Sequence, residues 1–247
     1  MKVEFTPAEL ERYDRQLRLP RLGIEGQAKL KEARVLVAGV GGLGCSAALC
    51  LAMAGVGELV LVDKDKVELS NLNRQVLYGE EDVGSLKAEA AARRLRELNS
   101  LLKVKGLALE INELNVEELI KGVDLVIDGQ DNYKVRFLLN KACVKLRKPL
   151  IHAALYGLEG RLMTIVPGKG PCLRCLVPTE PRAVERVPVV GAAAMVLGAL
   201  QAAEAIKLIV GFGQLSVGSL LVVDLESLEF LRVQVRRNPN CPVCSGV

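Results

Sequence analysis

The spacing of the glycines at 39–44 suggests chemistry more clearly than any other pattern in the chain. The segment reads Gly-Val-Gly-Gly-Leu-Gly and follows an apolar run at 35–38. Glycines permit a tight turn and let the backbone approach a phosphate, and the N-terminus of a following helix favours negative charge. Asp63 ends a second apolar run about 20 residues further on, where a carboxylate can accept hydrogen bonds from ribose hydroxyls. The pattern predicts a nucleotide site in a βαβ unit without saying which nucleotide.

A second group of polar residues follows the predicted strands. Ser-Asn-Leu-Asn-Arg-Gln at 70–75 comes after the second strand, and Lys87 lies in the first turn of a later helix. Asp-Gly-Gln-Asp-Asn at 128–132 ends another strand, and Arg136 follows it. Open α/β sheets bind ligands at the carboxyl ends of their strands, so these cations and a carboxylate predict a triphosphate site with Mg²⁺. Each residue alone could be an ordinary solvated charge, but their joint placement favours the site.

Four cysteines form two CxxC pairs, 172–175 and 241–244, with 65 residues between them. Four thiolates in this arrangement suit a tetrahedral structural zinc site, which would join the C-terminal tail to the irregular segment 167–188. Redox-active pairs or a chance occurrence are the alternatives. The predicted zinc ligands are Cys172, Cys175, Cys241 and Cys244. The other cysteines fall in predicted helices and are expected to be buried structural thiols: Cys45, Cys50 and Cys143.

The composition excludes several classes of function. Half of the 247 residues are hydrophobic, which allows a substantial core and argues against disorder. A net charge of +4 and only 3% aromatic residues argue against a nucleic-acid partner. The N-terminus carries no signal-peptide pattern, and the apolar region 187–203 is predicted to be a buried helix rather than a membrane span. We therefore expect a cytoplasmic protein with reduced cysteines and no membrane partner.

The order of elements predicts the fold. Strands alternate with helices up to residue 155, which is typical of a Rossmann-like, doubly wound, mainly parallel sheet in an α/β fold. A strand without a preceding crossover helix then begins near Gly160, so the C-terminal strands are expected to extend the sheet in antiparallel fashion. One domain is predicted, with N-terminal helices at 1–32, a nucleotide-binding half at 33–155 and a second half at 156–247. Predicted helices are 7–18, 26–32, 42–54, 83–98, 116–121, 132–146 and 191–210; predicted strands are 35–38, 59–62, 104–109, 123–127, 150–154, 160–166, 220–224 and 229–235.

Taken together, these residues resemble the MoeB/ThiF/HesA adenylyltransferases, which are related to ubiquitin-activating enzymes. The resemblance covers nearly the whole chain and is highly specific. It rests on Arg-Tyr-Asp-Arg-Gln at 12–16, the glycine loop, Asp63, the 70–75 segment, Gly84 with Lys87, Asp131-Asn132 with Arg136, both CxxC pairs, and the segment 198–207.

The resemblance implies an activity and a set of ligands. The enzyme would use ATP and Mg²⁺ to adenylate the C-terminal glycine of a ubiquitin-like sulfur-carrier protein ending in Gly-Gly, and a separate donor would supply sulfur for molybdopterin, thiamin or thiolated-tRNA synthesis. Arg15 would reach the triphosphate of a neighbouring subunit in a homodimer, and Asp131 would bind Mg²⁺. Arg15, Arg74, Lys87 and Asp131 would act in catalysis. The nucleotide would be held by Gly39, Gly41, Gly42, Gly44, Asp63, Asp65, Ser70, Asn71, Leu72, Asn73, Arg74, Gln75, Lys87, Asp131 and Asn132.

The sequence departs from the family in one respect. Many relatives carry a cysteine in a mobile crossover loop, and the corresponding position falls at or near Val184. A covalent step on that loop is therefore not expected, and neither is an appended sulfurtransferase domain, because the sequence ends at Val247. The rival interpretations are an NAD-dependent oxidoreductase, in which the sole histidine, His152, would be the acid or base, and an inactive zinc-stabilised scaffold that binds the carrier. A buried strand position is the expected role of His152.

Overall fold

The computed structural model describes residues 3–182 and 187–247, and a single sheet runs through them. Its strands are β1 (Arg34–Ala38), β2 (Glu58–Val62), β3 (Lys103–Leu107), β4 (Leu125–Asp128), β5 (Leu150–Tyr156), β6 (Glu159–Ile165), β7 (Ser219–Asp224) and β8 (Glu229–Gln234). They lie in the order β3-β2-β1-β4-β5-β6-β7-β8. The first five pair in parallel, and β5 to β8 pair in antiparallel fashion. The predicted α/β class and the antiparallel C-terminal extension are confirmed.

Helices cover both faces of the parallel strands. They are α1 (Pro7–Arg12), α2 (Asp14–Leu17), α3 (Gly23–Glu32), α4 (Gly42–Ala54), α5 (Lys87–Leu98), α6 (Val116–Lys121), α7 (Tyr133–Lys145), α8 (Leu173–Leu176) and α9 (Gly191–Val210). One buried cluster joins α3, α4, α5 and α9 to one face of the sheet, and a second joins α6 and α7 to the other face. Strands covered on both sides explain the continuous apolar runs in the sequence.

Two predicted helices are shorter than expected. The helix predicted at 83–98 begins only at Lys87, because Gly84 has a φ of +91°, which a right-handed helix cannot contain. The helix predicted at 7–18 is interrupted at Tyr13, whose buried ring turns inward and accepts a hydrogen bond from Asn99. Thr6 caps the first helix, since its side chain accepts a hydrogen bond from the Glu9 amide.

Helix α9 is long and apolar enough to cross a membrane by length and composition. Half of its most apolar window is buried inside the protein, however, and the helix packs along α4 and against β5 and β6. Gly198 marks the close crossing, because a Cβ there would lie 2.6 Å from both the Leu43 oxygen and the Ser46 Cβ. Ala194 likewise packs on Gly42, at the start of α4. The burial of α9 against α4 and the sheet agrees with the buried helix that the sequence predicts.

The crossing of α4 and α9 predicts the effect of one added methyl group. Alanine usually stabilises a helix by about 1 kcal/mol relative to glycine. Overpacking against the Leu43 oxygen should outweigh that gain, so Gly198→Ala should lower the free energy of unfolding by about 1–2 kcal/mol. Denaturant unfolding measures the change. Ala199→Ser, at an exposed position of the same helix, is the control, and an increase in stability for Gly198→Ala would contradict the close contact.

Candidate nucleotide and metal sites

The candidate nucleotide site lies where the order of the parallel strands reverses. Strand β1 has β2 on one side and β4 on the other, and the helices that follow β1 and β4 pack on opposite faces of the sheet. Such a switch point is the usual ligand crevice of open α/β sheets. The loops that follow β1 and β4 touch there, since a Cβ on Gly39 would lie 2.8 Å from the Gly129 oxygen and 2.9 Å from Gln130 Nε2. Gly39 also has a φ of +90°, so both its conformation and its surroundings require glycine.

The N-terminus of α4 faces this crevice. Its N-cap is Gly41, and none of the described residues caps it with a side chain. A Cβ on Gly44 would collide with the Gly39 oxygen, whereas the space beside Gly41 is open apart from Gln75 Nε2 at 3.9 Å. Free backbone N–H groups and the positive end of the helix dipole attract an anion. This arrangement suits a phosphate, as predicted from the sequence.

Asp63 extends the crevice along β2. Its two carboxylate oxygens accept hydrogen bonds from the Val40 amide at 2.8 Å and the Asp65 amide at 2.9 Å. Burial raises the pKa of Asp63, and these two backbone hydrogen bonds oppose that rise. The carboxylate is therefore fixed beside the glycine loop, where it can accept hydrogen bonds from a sugar.

Lys87 is the buried cation of the site. The residue is only 7% exposed, and its Nζ lies 3.4 Å from Asp65 Oδ2, on a side chain that is largely exposed. The Lys87 amide also donates to the Asp65 carbonyl at 2.9 Å, which ties the start of α5 to the end of β2. A buried ammonium with one exposed carboxylate as its partner is well placed to bind an incoming phosphate.

The 70–75 segment lies against the glycine loop, as its sequence position suggests. The Arg74 backbone oxygen would be 3.3 Å from a Cβ on Gly42, and its guanidinium donates to the Ser70 carbonyl and to Asn73 Oδ1. Asn71 is buried and accepts a hydrogen bond from the Glu68 amide, so it shapes the turn. Leu72 is partly buried against the main core cluster. Gln75 is buried, and its Oε1 has no hydrogen-bond partner among the described residues.

The loop after β4 supplies the exposed Asp131. Asn132 caps α7 by accepting a hydrogen bond from the Val135 amide, and it donates to Asp131 at 3.3 Å. The pKa of Lys64, just after β2, is raised chiefly by its hydrogen bond to Glu110 and to a smaller extent by Asp131. A single exposed carboxylate beside a phosphate site is a common arrangement for Mg²⁺, which usually retains waters and binds substrate phosphates.

The prediction that Arg136 faces a triphosphate is wrong. Arg136 is buried, and its Nη2 donates to the Gln130 and Ala153 carbonyls, while its Nε lies 3.7 Å from Asp128 Oδ2. His152 Nδ1 lies 2.6 Å from the same oxygen, and the ring is buried in its strand as expected. Arg136 therefore braces the loop rather than meeting a ligand. Sequence reasoning missed the role of Asp128, which contacts both Arg136 and His152. The available signal was the buried histidine expected on the next strand, which pairs with Asp128.

Arg15 lies far from the crevice of its own chain. It is exposed on α2, where the neighbouring Gln16 donates to Gln27 and to the Ala54 carbonyl at the C-terminal end of α4. The glycine loop is at the opposite end of α4, and a helix of 13 residues is about 20 Å long. Arg15 is therefore the predicted site residue that lies apart from the others within a single chain.

The four CxxC cysteines converge as predicted. The four Sγ atoms all lie within 4.8 Å of one another. The Sγ atoms of Cys172 and Cys241 are 3.6 Å apart, and those of Cys175 and Cys244 are 3.5 Å apart. These separations are too long for disulfide bonds and close to the roughly 3.8 Å between ligands in a tetrahedral zinc–thiolate site. Four thiolates fit zinc and leave no open coordination position. The cluster also joins α8, just after β6, to the C-terminal tail.

The remaining cysteines are only partly as expected. Cys45 and Cys143 are buried, and burial raises the pKa of the Cys45 thiol to about 12. Cys50 is only half-buried, which corrects the prediction for that residue, because its side of α4 is incompletely covered. The position at or near Val184, where relatives carry a loop cysteine, lies outside the residues that the structure describes.

Comparisons with known proteins agree on one family. A family model described as the ThiF family matches residues 13–243. The chain is 43% identical to a sulfur carrier protein adenylyltransferase of Thermus thermophilus, over 98% of this chain and 93% of that protein. It is 45% identical to an adenylyltransferase and sulfurtransferase, MOCS3-1, of Drosophila pseudoobscura pseudoobscura, over 99% of this chain. That alignment covers 56% of the fly protein, so the chain spans about half the length of this group of curated relatives.

Solved structures give the same result. E. coli MccB in a complex with ATP superposes with a TM-score of 0.82 at 30% sequence identity, over 94% of this chain and 74% of that one. The similarity therefore extends over the nucleotide-binding half and the C-terminal strands together.

The cysteine cluster predicts how the protein responds to metal loss. Cys241→Ser should abolish zinc retention and lower the free energy of unfolding by on the order of 4 kcal/mol, because the C-terminal tail would lose its attachment. Elemental analysis and denaturant unfolding measure the two effects. Cys50→Ser, at a half-buried cysteine outside the cluster, should keep both the metal and most of the stability.

A redox pair would behave differently. A protein whose stability falls on reduction but not on treatment with a chelator would rule out the zinc interpretation in favour of disulfide chemistry.

Proposed function

The chain belongs to the ThiF family, and from that premise we propose that it is an adenylyltransferase acting on a ubiquitin-like sulfur-carrier protein. The C-terminal glycine carboxylate of the carrier attacks the α-phosphorus of ATP. A new carboxyl–phosphate bond forms, the bond between the α- and β-phosphates breaks, and pyrophosphate leaves. A separate sulfur donor then attacks the acyl carbon of the adenylate, the carboxyl–phosphate bond breaks, and AMP leaves.

One observation carries this proposal: the uncapped N-terminus of α4 and the acceptor Asp63 share one edge of the sheet with the cations Lys87 and Arg74 and the exposed Asp131. The helix N-terminus and Asp63 suit a phosphate and a ribose, and the two cations and the exposed carboxylate add charge around them. A dinucleotide site needs the first half of this arrangement but not the second. The second half suits a triphosphate.

The proposed chemistry requires alignment and charge neutralisation rather than a side-chain nucleophile. The attacking carboxylate is already nucleophilic, so the protein must hold it in line with the α-phosphate and stabilise the departing pyrophosphate. We assign that work to Lys87, Arg74 and the partner subunit's copy of Arg15. Asp131 would hold Mg²⁺, which would offset the negative charge of the phosphates.

A homodimer would complete the site. Arg15 is exposed at the end of α4 that lies opposite the glycine loop, so it cannot easily serve its own chain. In a two-fold dimer, the same surface would place each Arg15 at the neighbour's triphosphate. The distance within the chain supports this arrangement.

The exposed C-terminal strand offers a surface for the carrier. Every residue of β8 is exposed, including Phe230, Leu231 and Val233, each about half accessible. Leu231 and Val233 pair with Val222 and Leu220, which border the core beside the cysteine cluster. An apolar strip at a sheet edge suits a partner protein. We propose that the carrier docks on the face of β8 that carries Leu231 and Val233, where zinc would hold the neighbouring C-terminal tail in place.

The remaining assignments follow from the same proposal. We assign residues 1–32 to an N-terminal part that carries Arg15, 33–155 to the nucleotide-binding half and 156–247 to the carrier-binding half of one adenylation domain. We place the enzyme in the cytoplasm, where a CxxC cluster remains reduced for zinc. The pathway served is molybdopterin, thiamin or thiolated-tRNA synthesis.

The two rival functions explain less of the structure. An oxidoreductase would need an acid or base near the substrate, but His152 is buried and held by Asp128, and the cations around the glycine loop would have no role. An inactive scaffold would not need a buried Lys87 or an exposed Asp131 at the same edge. Release of pyrophosphate separates both rivals from the proposed reaction.

Asp131→Asn tests the assignment of Mg²⁺. The amide keeps the shape of the side chain but removes its charge, so carrier-dependent ATP–pyrophosphate exchange should fall by about 10²–10³. The exposed Asp131 contributes little packing, so the unfolding midpoint should not change. Glu113→Gln, another exposed carboxylate, is the control. Near-normal exchange in the Asp131 variant would reject its role as a metal ligand.

Mixing two inactive variants tests the shared site. Arg15→Ala and Asp131→Asn should each be inactive as homodimers. After exchange of subunits, the mixture should recover about a quarter of wild-type exchange, because half the dimers are mixed and each contains one intact site. An inactive mixture whose subunits have demonstrably exchanged would place Arg15 outside the partner's site.

A further inference from the structure

Tyr78 lies beneath the nucleotide site in a position that the proposed reaction does not explain. It follows the 70–75 segment and is 8% exposed. Its hydroxyl lies 2.9 Å from the Val40 carbonyl, inside the glycine loop, and 3.3 Å from the Lys87 carbonyl, at the first residue of α5. Burial raises the pKa of Tyr78, so the hydroxyl keeps its proton and remains a donor.

The two carbonyls belong to the two sides of the site. The Val40 amide donates to Asp63 and the Val40 carbonyl accepts from Tyr78, so hydrogen bonds hold the backbone on both sides of Val40. Lys87 is fixed by its own amide to the Asp65 carbonyl and by its Nζ to the Asp65 carboxylate. The Tyr78 hydroxyl, whose single proton is shared between the two carbonyls, is therefore the direct link between the glycine loop and the backbone of the lysine.

Without the hydroxyl, two carbonyl oxygens would face each other across the gap. The Val40 oxygen would keep only the thiol of Cys45 as a side-chain partner, at 3.2 Å, and a thiol is a weak donor. A buried acceptor with so weak a partner is costly, and two like dipoles repel. The loop and the start of α5 would then move apart, because no other side-chain hydrogen bond among the described residues joins them directly.

We propose that Tyr78 is a positioning residue that sets the distance between the phosphate-binding glycine loop and Lys87. The inference rests on the proposed ATP site and goes beyond it, since it concerns a residue that touches no ligand. A nucleotide triphosphate needs the loop and the lysine at one fixed separation. A nucleoside without phosphates occupies only the loop and Asp63 and does not depend on that distance.

Tyr78→Phe tests the proposal because it removes the hydroxyl and keeps the ring. The dissociation constant for Mg–ATP, measured by calorimetry on the full chain, should rise about tenfold. The dissociation constant for adenosine should change by less than about twofold. Thr164→Val is the matched control. It removes another buried hydroxyl, which is bonded to Glu204 and lies opposite Ile151, near the amino-terminal ends of the parallel strands. Both dissociation constants should remain unchanged.

A double-mutant cycle isolates the part played by Lys87. If Tyr78 acts by placing the lysine, Tyr78→Phe should weaken Mg–ATP binding by less than about twofold in a Lys87→Ala background, because the interaction to be positioned is already absent. A full tenfold effect in that background would overturn the proposal. An equal loss of adenosine and ATP binding would also overturn it, since that pattern indicates general damage to the fold.

The test also separates this inference from the proposed function. A wild-type protein that binds Mg–ATP but adenylates no carrier would reject the function while leaving the comparison of Tyr78 variants readable. A wild-type protein with full exchange activity, and a Tyr78→Phe variant that binds ATP equally well, would reject only the role of Tyr78.

Discussion

The contact between the backbones of Gly39, Gly44 and Gly129 is the constraint on which the candidate site depends. A side chain at any of the three would collide with main-chain atoms of another, so the loops after β1 and β4 can meet only because these residues have no Cβ. That contact brings the open end of α4 beside the Asp131 loop. The positive end of one helix dipole and the loop that carries an exposed carboxylate therefore lie at the same edge of the sheet.

Rigid hydrogen bonds then fix the side chains around that contact. Asp128 and Arg136 hold the loop after β4 through the amide and carbonyl of Gln130, and Asp63 holds the loop after β1 through the Val40 amide. Asp128 and Arg136 are buried and only support their loop, whereas Asp63 both holds its loop and lies beside the candidate ligand site. A site organised in this way needs little rearrangement when a charged substrate arrives, which favours catalysis by preorganised electrostatics.

Much of this architecture could be predicted from the sequence, because its causes are local. Runs of apolar residues, glycine spacing and CxxC pairs each impose a backbone geometry within a few residues. The role of Arg136 could not be predicted, since whether its guanidinium faces a phosphate or the Gln130 carbonyl depends on how α7 packs beside β5. The same limit applies to Tyr78, whose two partners are separated in sequence by Asp63 and the whole 70–75 segment. The break at Tyr13 likewise depends on a distant residue, Asn99.

The cysteine cluster has a consequence for the integrity of the chain. Its two pairs lie on either side of a 65-residue stretch that contains α9 and the last two strands. Both ends of that stretch are therefore attached to the same point when a metal is bound. A protease that cut a peptide bond within it would not release a fragment, because the sulfur–metal bonds and the strand pairing would hold the two pieces together. The nicked protein would migrate as two polypeptides under denaturing conditions and as one particle under native conditions.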